Sequence, residues 1–320
     1  MKVIAAHNPD PEIRRESSSG GVFTLIAEKT ISEGGAVYGA VFDKDWKVVH
    51  RRVDTIDGLS ALRGSKYVYS HVGSAYEEAL ADLDAGRKVL FSGTPCQVAA
   101  MAKRAGEREN LLLLEVVCHG APEPIYWERY LSEYLKKRNK TSGNIKSINF
   151  RDKRDGWKQY NITISFNDNS EESEFHGSNT YMRGYLRNYI IRKSCFKCPF
   201  KYPAGSKADI TLGDFWGIES IESCSPQEIF NGISLVITRT EKGEDFIHCS
   251  YKSSYNFEEV SKINKALTHA AIPPSKYETF RKESEKTDNL TRLIEKYTSV
   301  PLSIRFKTII YKGLKFLRIK

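Results

Sequence analysis

The sequence predicts an α/β protein whose parallel-strand core carries an inserted antiparallel hairpin region and a helical C-terminal part. Three observations predict this fold. Residues 88–136 show the order strand–helix–strand–helix, which is typical of parallel strands joined by crossover helices. Residues 147–168 alternate like half-buried antiparallel strands, and residues 252–300 are polar, mixed and predicted to be helical.

Hydrophobic periodicity and glycine stops define the individual elements. Before residue 145 the predicted order is a helix in VFTLIAEKTISEGG, a strand in AVYGAVFD with its hairpin partner KVVHRRV, a helix in AYEEALADLDAG, a strand in KVLFSG, a helix in TPCQVAAMAKRAG, a strand in LLLLEVVCHG and a helix in PIYWERYLSEYLKKRN. Later predictions are strands in SINFRDK and QYNITISFND, a helix in NTYMRGYLRNYIIRK, a strand in KADITLGDF, and a strand and helix in GISLVITRTEKGEDFIHC.

These elements suggest four segments along the chain. Residues 1–144 form an N-terminal α/β part, and residues 145–250 form a part that contains the C-x-x-C and GDFWG motifs. Residues 251–298 are predicted to be a helical extension, and residues 299–320 a basic amphipathic tail.

Length, charge and hydrophobicity exclude several classes of protein. The 320 residues can bury a core without disulfides, and the formal net charge is +9. The last 22 residues hold six Lys or Arg and no acid, which leaves +3 for residues 1–298. No basic stripe with interleaved aromatic residues indicates nucleic-acid binding. We find neither a secretory signal nor an apolar run of about 20 residues, and therefore expect a cytoplasmic protein.

The tail 299–320 has two interpretations. On a helical wheel its apolar side chains form one stripe opposite its cations, a pattern that favours peripheral contact with an anionic membrane. An ordinary terminal helix docked on the protein body explains the same pattern. The apolar stripe comprises Phe306, Ile310, Leu314 and Leu317, and four of the six cations lie opposite it: Arg305, Lys312, Lys315 and Arg318.

Two cysteines follow the predicted buried strands. Cys96 begins a helix after one strand, and Cys118 ends the next. If the strands are parallel neighbours, both thiols face the crevice beyond their carboxyl ends, where α/β proteins bind ligands. A helix amino terminus also favours the thiolate form of Cys96, which binds metals. The alternative is a packed structural cysteine at each position.

Cys195 and Cys198 form a C-x-x-C motif followed by proline. This spacing suits a metal centre, and the proline is typical of iron–sulfur loops. With the two crevice cysteines the count reaches four, the number that a [4Fe–4S] cluster needs. Zinc or a redox-active dithiol remain alternatives for the motif. We interpret Cys224 and Cys249 as structural.

Two loops offer candidate anion or nucleotide contacts. SSSGG at residues 17–21 precedes a helix, where hydroxyls and free backbone N–H groups suit an anion, although a plain helix cap explains it equally well. In LRGSKYVYS, Gly64 permits close backbone approach, Ser65 and Lys66 suit phosphate, and Tyr67 or Tyr69 could stack on a ring. GDFWG at 213–217 follows a strand and by itself indicates only a tight turn.

Taken together, the motifs SSSGGVF, GSKYV, LFSGTPCQ, VCHG, FRDK followed by GW, C-x-x-C and DITLGDFWG resemble, in this order, the coenzyme F-420 hydrogenase/dehydrogenase beta-subunit family. The resemblance runs from about residue 15 to about residue 240. It implies an oxidoreductase that binds FAD and at least one [4Fe–4S] cluster.

The resemblance also assigns residues. It implies Cys96, Cys118, Cys195 and Cys198 as cluster ligands, with Asp209 or Asp214 as a substitute for one thiolate. The implied flavin-site residues are Ser18, Ser19, Gly20, Gly21, Gly64, Ser65, Lys66, Tyr67, Thr94 and Asp214. His119, next to Cys118, is the candidate proton relay to flavin or substrate, and its alternative role is a hydrogen bond to the cluster or backbone.

The chain departs from many bacterial relatives, which begin with a ferredoxin-like module, because residues 1–16 contain no cysteine. We therefore expect electrons from a separate ferredoxin or a reduced cofactor, and a small-molecule or glycan-linked substrate as in relatives of surface-polysaccharide pathways. Two other classes compete with the redox enzyme: a zinc-stabilised binding or assembly protein without cofactor, and a non-redox glycan-modifying transferase on the same fold.

Overall fold

The computed structural model describes residues 1–201, 205–247 and 251–299, and for residues 251–253 it describes the backbone alone. Cys249 and the predicted amphipathic tail, apart from Ser299, lie outside the described residues. None of the helices in the described ranges is long and apolar enough to cross a membrane.

The central element is an eight-stranded mixed sheet with the order β11-β1-β10-β9-β5-β4-β2-β3. Strands β1, β9, β5, β4 and β2 run in one direction, and β3, β10 and β11 run in the other. The strands are β1 (Lys2–Ala6), β2 (Ala36–Phe42), β3 (Val48–Val53), β4 (Val89–Gly93), β5 (Leu111–Val116), β9 (Ile210–Asp214), β10 (Ser234–Thr238) and β11 (Tyr251–Ser254). The sheet therefore joins the first strand of the chain, β1, to β11, which lies more than 240 residues later.

A second, antiparallel sheet of three strands has the order β6-β7-β8. Its strands are β6 (Ile145–Asp152), β7 (Asn161–Phe166) and β8 (Glu171–Phe175). β6 and β7 bury one face against helical residues, whereas β8 is almost entirely exposed.

Helices cover both faces of the main sheet and also pack against the small sheet. They are α1 (Pro11–Glu16), α2 (Val22–Ser32), α3 (Leu59–Leu62), α4 (Ala75–Asp84), α5 (Pro95–Ala105), α6 (Pro124–Lys136), α7 (Thr180–Leu186), α8 (Pro226–Asn231), α9 (Glu241–Asp245), α10 (Phe257–Ile263), α11 (Tyr277–Lys286) and α12 (Leu290–Thr298). Short 3₁₀ turns lie at Ser142–Asn144, Lys193–Lys197, Ile218–Ser220 and Lys265–Leu267.

The continuous apolar sequence of β5 explains its central place. Leu112 and Leu114 pack with α2 and α3 on one face of the sheet, and Leu111 and Leu113 pack with α4 and α5 on the other. Successive side chains of a strand point to opposite faces, so a strand covered on both sides must be apolar throughout. The chain enters α5 through a capping box of Thr94 and Gln97.

The structure confirms the α/β class, the parallel pair β4–β5 and the antiparallel pair β6–β7. The helix predicted in NTYMRGYLRNYIIRK is shorter than expected, because α7 ends at Leu186 and Asn188 adopts a left-handed φ of 65°. The helical prediction for 252–300 is wrong at its start, where β11 pairs with β1. β1, α1 and β8 were not predicted.

Candidate functional site

The candidate site lies along the edge where the parallel strands of the main sheet end. The chain beyond β1 leads to the 17–21 loop, the chain beyond β4 to Thr94 and Cys96, and the chain beyond β5 to Cys118 and His119. β9 ends there at Asp214, and β10 starts there, because Ser234 pairs with both Ala6 and Asp214. This edge is the usual ligand-binding position of an open α/β sheet.

The four candidate cluster cysteines converge at this edge. Cys118 lies within electrostatic range of Cys96, Cys195 and Cys198, and Cys195 lies within range of Cys96 and Cys198. The 3₁₀ turn that holds Cys195 follows a bridge between Pro122 and Ile191. All four side chains are half-buried and none forms a disulfide.

Close packing of the segment after Cys118 holds the C-x-x-C turn in place. A Cβ placed on Gly120 would lie 3.6 Å from Cβ of Cys195 and 2.9 Å from Cδ1 of Ile191. The Ala121 carbonyl accepts a hydrogen bond from the Arg192 N–H at 3.0 Å. Gly120 has a φ of 158°, in the region that favours glycine.

Burial favours the neutral thiols. It raises the pKa of Cys118 to about 12, with repulsion from the other cysteines adding to the shift and Lys201 opposing it. Burial likewise raises the pKa of Cys195. A hydrogen bond with the backbone of Ala121 and the positive charge of Arg192 oppose this shift. Binding of a metal centre would therefore have to release protons from these cysteines.

The described residues contain no group of three or more His, Cys, Asp or Glu side chains placed to hold one metal ion. Ligands of a single tetrahedral zinc lie about 4 Å apart, because each is about 2.3 Å from the metal. The four thiolates of a [4Fe–4S] cluster bind four different iron atoms, and so lie further apart. The cysteines as described therefore do not form a site for one tetrahedral ion, and a [4Fe–4S] cluster would need the wider spacing.

His119 is held by Asn188. Its Nε2 lies 2.6 Å from Oδ1 of Asn188, whose Nδ2 donates to the Ile272 carbonyl at 2.9 Å. Because that second bond fixes the amide, Nε2 of His119 is the donor and Nδ1 remains able to accept a proton. Burial lowers the pKa of His119, against the effect of the Asn188 hydrogen bond, so the neutral ring is favoured. Its ring meets that of Tyr185 edge-on, with centroids 5.7 Å apart.

The 17–21 loop is fixed from several sides. Oγ of Ser18 accepts from the Ser65 N–H at 2.7 Å, and Oγ of Ser19 lies 2.7 Å from Oγ of Ser234. Gly20 must be glycine, because a Cβ would lie 2.5 Å from the Ala6 carbonyl oxygen. Gly21 precedes α2 with a φ of 84°, and the α2 amino terminus has no side-chain cap.

The loop at 64–67 meets the 17–21 loop through Ser65. Gly64 has a φ of 82°, and a Cβ there would meet nothing within 4 Å, so open space lies beside it. Nζ of Lys66 donates to the carbonyls of Ala61, Arg63 and Gly64, and burial lowers its pKa to about 7. Its amino group is thus engaged at the end of α3. Tyr67 stacks on Tyr185 with ring centroids 4.9 Å apart.

Thr94 connects the cysteines to α5. Its Oγ1 donates to Oε1 of Gln97 at 2.9 Å and lies 3.2 Å from Sγ of Cys96. This hydroxyl therefore contacts both the Gln97 side chain in the first turn of α5 and a candidate cluster ligand.

Asp214 lies at the same edge, but its carboxylate binds protein groups. It accepts two hydrogen bonds of 2.9 Å from Arg151 and one of 2.5 Å from Nε1 of Trp157. Asp209 lies elsewhere: it accepts from the Leu113 N–H at 2.8 Å and from Thr240 at 2.7 Å. Asp209 directly precedes β9 and so lies at the opposite end of that strand from Asp214, where it is not placed to replace a cysteine ligand.

Arg151 was missed by the sequence reasoning although FRDK was noted as a motif. Its side chain is only 2% exposed, and it also donates to Oη of Tyr67 and to the Ser18 carbonyl, each at 2.9 Å. Its Nε is buried without a hydrogen-bond partner.

Lys153 and the indole pair were also missed. Nζ of Lys153 donates at 2.7 Å to the carbonyls of Arg14, Ser19 and Asn231, which ties the small sheet to the 17–21 loop. Trp157 and Trp216 stack with centroids 4.6 Å apart and planes 5° from parallel. The motifs FRDK, GW and GDFWG were the local signals for these residues.

Two cavities lie away from this edge. One of about 550 Å³ is lined by Trp46, Trp127 and the carboxyl end of α6. The other, of about 330 Å³, lies between α6 and the small sheet, beside Tyr130 and Glu172. Neither contains a predicted site residue.

Two family profiles match the chain. Residues 3–77 match the N-terminal profile of the coenzyme F420 hydrogenase/dehydrogenase beta subunit, and residues 86–263 match its C-terminal profile. The chain belongs to this family. Membership confirms the resemblance read from the motifs and implies a redox function for this family member.

A solved structure supports the fold. A chain of the F420-reducing [NiFe] hydrogenase complex from Methanosarcina barkeri, determined as a xenon derivative, superimposes with a TM-score of 0.55 at 18% identity. The match covers 89% of this chain and 91% of that chain. No curated protein is significantly similar in sequence.

Proposed function

We propose that this member of the family is an oxidoreductase that holds FAD and one [4Fe–4S] cluster at the carboxyl edge of its main sheet. The observation that carries the proposal is the convergence of Cys96, Cys118, Cys195 and Cys198 at that edge. Three separate parts of the chain supply these cysteines, and packing of a core alone does not require four thiols to meet.

The cysteines would hold the cluster, and the 17–21 and 64–67 loops would hold the flavin. The open space beside Gly64 and the uncapped amino terminus of α2 support the second assignment. Flavin exchanges electrons in pairs or singly and an iron–sulfur cluster exchanges them singly, which is the chemistry that the pair supplies when bound.

His119 is the proposed proton carrier. The hydrogen bond to Asn188 orients the ring, and burial keeps it neutral so that Nδ1 can accept a proton. Thr94 and Gly120 position Cys96 and Cys195 rather than react.

The proposed electron donor is a separate ferredoxin or a reduced cofactor, and the proposed substrate is a small or glycan-linked molecule. The solved hydrogenase structure is that of a complex, which supports a protein partner for this chain. The glycan assignment is supported by the sequence resemblance alone.

Protein purified without oxygen tests the proposal through its iron, sulfide, zinc and flavin content. We expect about four irons per chain and a flavin spectrum. Cys195→Ala should lower the iron content at least about twofold while the protein remains folded. Cys224→Ala is the matched control, because Cys224 packs in a different core cluster, and it should keep its iron.

Two outcomes would contradict the proposal. Colourless protein with one zinc per chain would indicate a zinc-stabilised binding protein. Protein without flavin or iron that binds a sugar nucleotide tightly would indicate a transferase.

A further inference from the structure

Cations surround the C-x-x-C motif at the surface. Residues 192–201 contain Arg192, Lys193, Lys197 and Lys201 and no acid. Lys193 and Lys197 are exposed, while Cys195, between them, and Cys198, directly after Lys197, are half-buried. Arg192 lies over the ring of Tyr69 at 3.9 Å and acts electrostatically on Cys195.

The start of α11 extends this surface. Oη of Tyr277 donates to the Ile191 carbonyl at 2.9 Å, and the Tyr277 ring meets Phe196 edge-on at 4.7 Å. Residues 272–278 therefore lie beside the C-x-x-C turn. They add the exposed cation Lys276 and one acid, Glu278, which pairs with Lys193 at 2.6 Å. The two segments together carry five cations and one acid, a net charge of +4.

An exposed apolar side chain lies in the same region. Ile272 is 78% exposed, and its carbonyl accepts the hydrogen bond from Asn188, the residue that holds His119. Pro273, also exposed, follows it. We call Lys193, Lys197, Ile272, Pro273 and Lys276 the basic face.

We propose that the basic face docks a small acidic electron-transfer protein. The inference rests on the proposed function, since it assumes a redox centre at the cysteines. A positive surface attracts an acidic partner and raises its rate of encounter, and a small apolar patch suits a brief contact. Because the face surrounds the C-x-x-C turn, a docked partner would lie next to the proposed cluster. One electron then leaves the partner's reduced iron–sulfur centre and enters this protein, and the partner is oxidised.

Charge reversal tests the proposal on the full-length protein. The test variant is Lys193→Glu with Lys197→Glu. The control is Lys136→Glu with Lys137→Glu, an equal change of charge at exposed positions. They lie at the far end of the 13-residue helix α6, about 20 Å from its start. Any effect of the basic tail is common to both variants.

A plant-type [2Fe–2S] ferredoxin, which is acidic, is the probe, and basic cytochrome c is the opposite-charge control. Binding and the rate of oxidation of reduced ferredoxin are measured at about 50 mM and about 500 mM salt. We expect the test variant to weaken binding and slow oxidation at least about tenfold at low salt, with little difference at high salt. The control variant should change both by less than about threefold, and cytochrome c should bind the test variant no more weakly.

Equal effects of the two variants, or no effect of either, would overturn the docking proposal. So would loss of binding to anionic phospholipid vesicles in the test variant with ferredoxin binding unchanged, because the face would then contact lipid. The iron and flavin content of the purified protein distinguishes failure of the docking proposal from failure of the proposed function. Iron-free protein that still binds ferredoxin through the face would contradict the function alone, and iron-containing protein with unaffected variants would contradict the docking alone.

Discussion

Replacing Asp214 with Asn is expected to cost about 3–5 kcal/mol of unfolding free energy, because it leaves a buried cation without its counterion. The side chain of Arg151 is 2% exposed and that of Asp214 is 17% exposed. Burial disfavours the guanidinium cation, yet attraction to Asp214 leaves the pKa of Arg151 raised. The Asn amide would keep the shape of the side chain, remove its charge and turn an N–H donor toward the donors of Arg151 and Trp157.

Urea unfolding followed by circular dichroism and tryptophan fluorescence measures the loss. Glu12→Gln is the control, because it breaks the exposed helical ion pair with Arg15 and should leave the unfolding midpoint almost unchanged. The double variant Arg151→Met with Asp214→Asn should lose less than the sum of the single variants, since it removes both partners. A cost for Asp214→Asn below about 1 kcal/mol, or additive single costs, would refute the buried-pair argument.

Two histidines give further predictions. His50 donates from Nε2 to the Ser92 carbonyl at 2.9 Å, and burial lowers its pKa to about 4. As the pH falls from about 6.5 to 4, His50 becomes protonated in the unfolded chain but stays neutral in the folded protein. This difference should remove about 3 kcal/mol of unfolding free energy over that range. His50→Gln should flatten this part of the stability profile, and an unchanged slope would contradict the assignment. His119→Gln should slow turnover at least about tenfold with normal iron and flavin content, whereas unchanged turnover would exclude the proton relay.

The sequence predicts the central strands and helices of the fold well, because short local patterns of apolar residues and glycines mark them. The apolar run of β5 reflects burial on both faces of the sheet. The glycine stops at Gly34, Gly86 and Gly106 reflect the positive φ that the backbone adopts after a helix. β8 escaped prediction because its sequence, EESEF, lies almost wholly in solvent at the sheet edge and has no hydrophobic alternation. β11 escaped because it depends on pairing with β1, more than 240 residues away.

Some residues of the candidate site could likewise be predicted from local sequence, and others could not. The cysteines could be proposed as one group because two follow neighbouring parallel strands, which fixes the edge where they lie. Nothing local marks Arg151 as buried, since an arginine on a half-exposed strand normally reaches solvent. Its position depends on Asp214, Tyr67 and Ser18, which lie 63, 84 and 133 residues away.

These long-range contacts join the two halves of the proposed site. From Cys118 the chain leads to His119, whose ring meets Tyr185, and Tyr185 stacks on Tyr67. Tyr67 accepts a hydrogen bond from Arg151, which in turn holds the 17–21 loop through the Ser18 carbonyl. The cysteines and the proposed flavin loops are thus held by one continuous series of contacts. Loss of the Arg151–Asp214 pair should therefore loosen the flavin loops before it disturbs the cysteines, so that Asp214→Asn releases flavin more readily than iron.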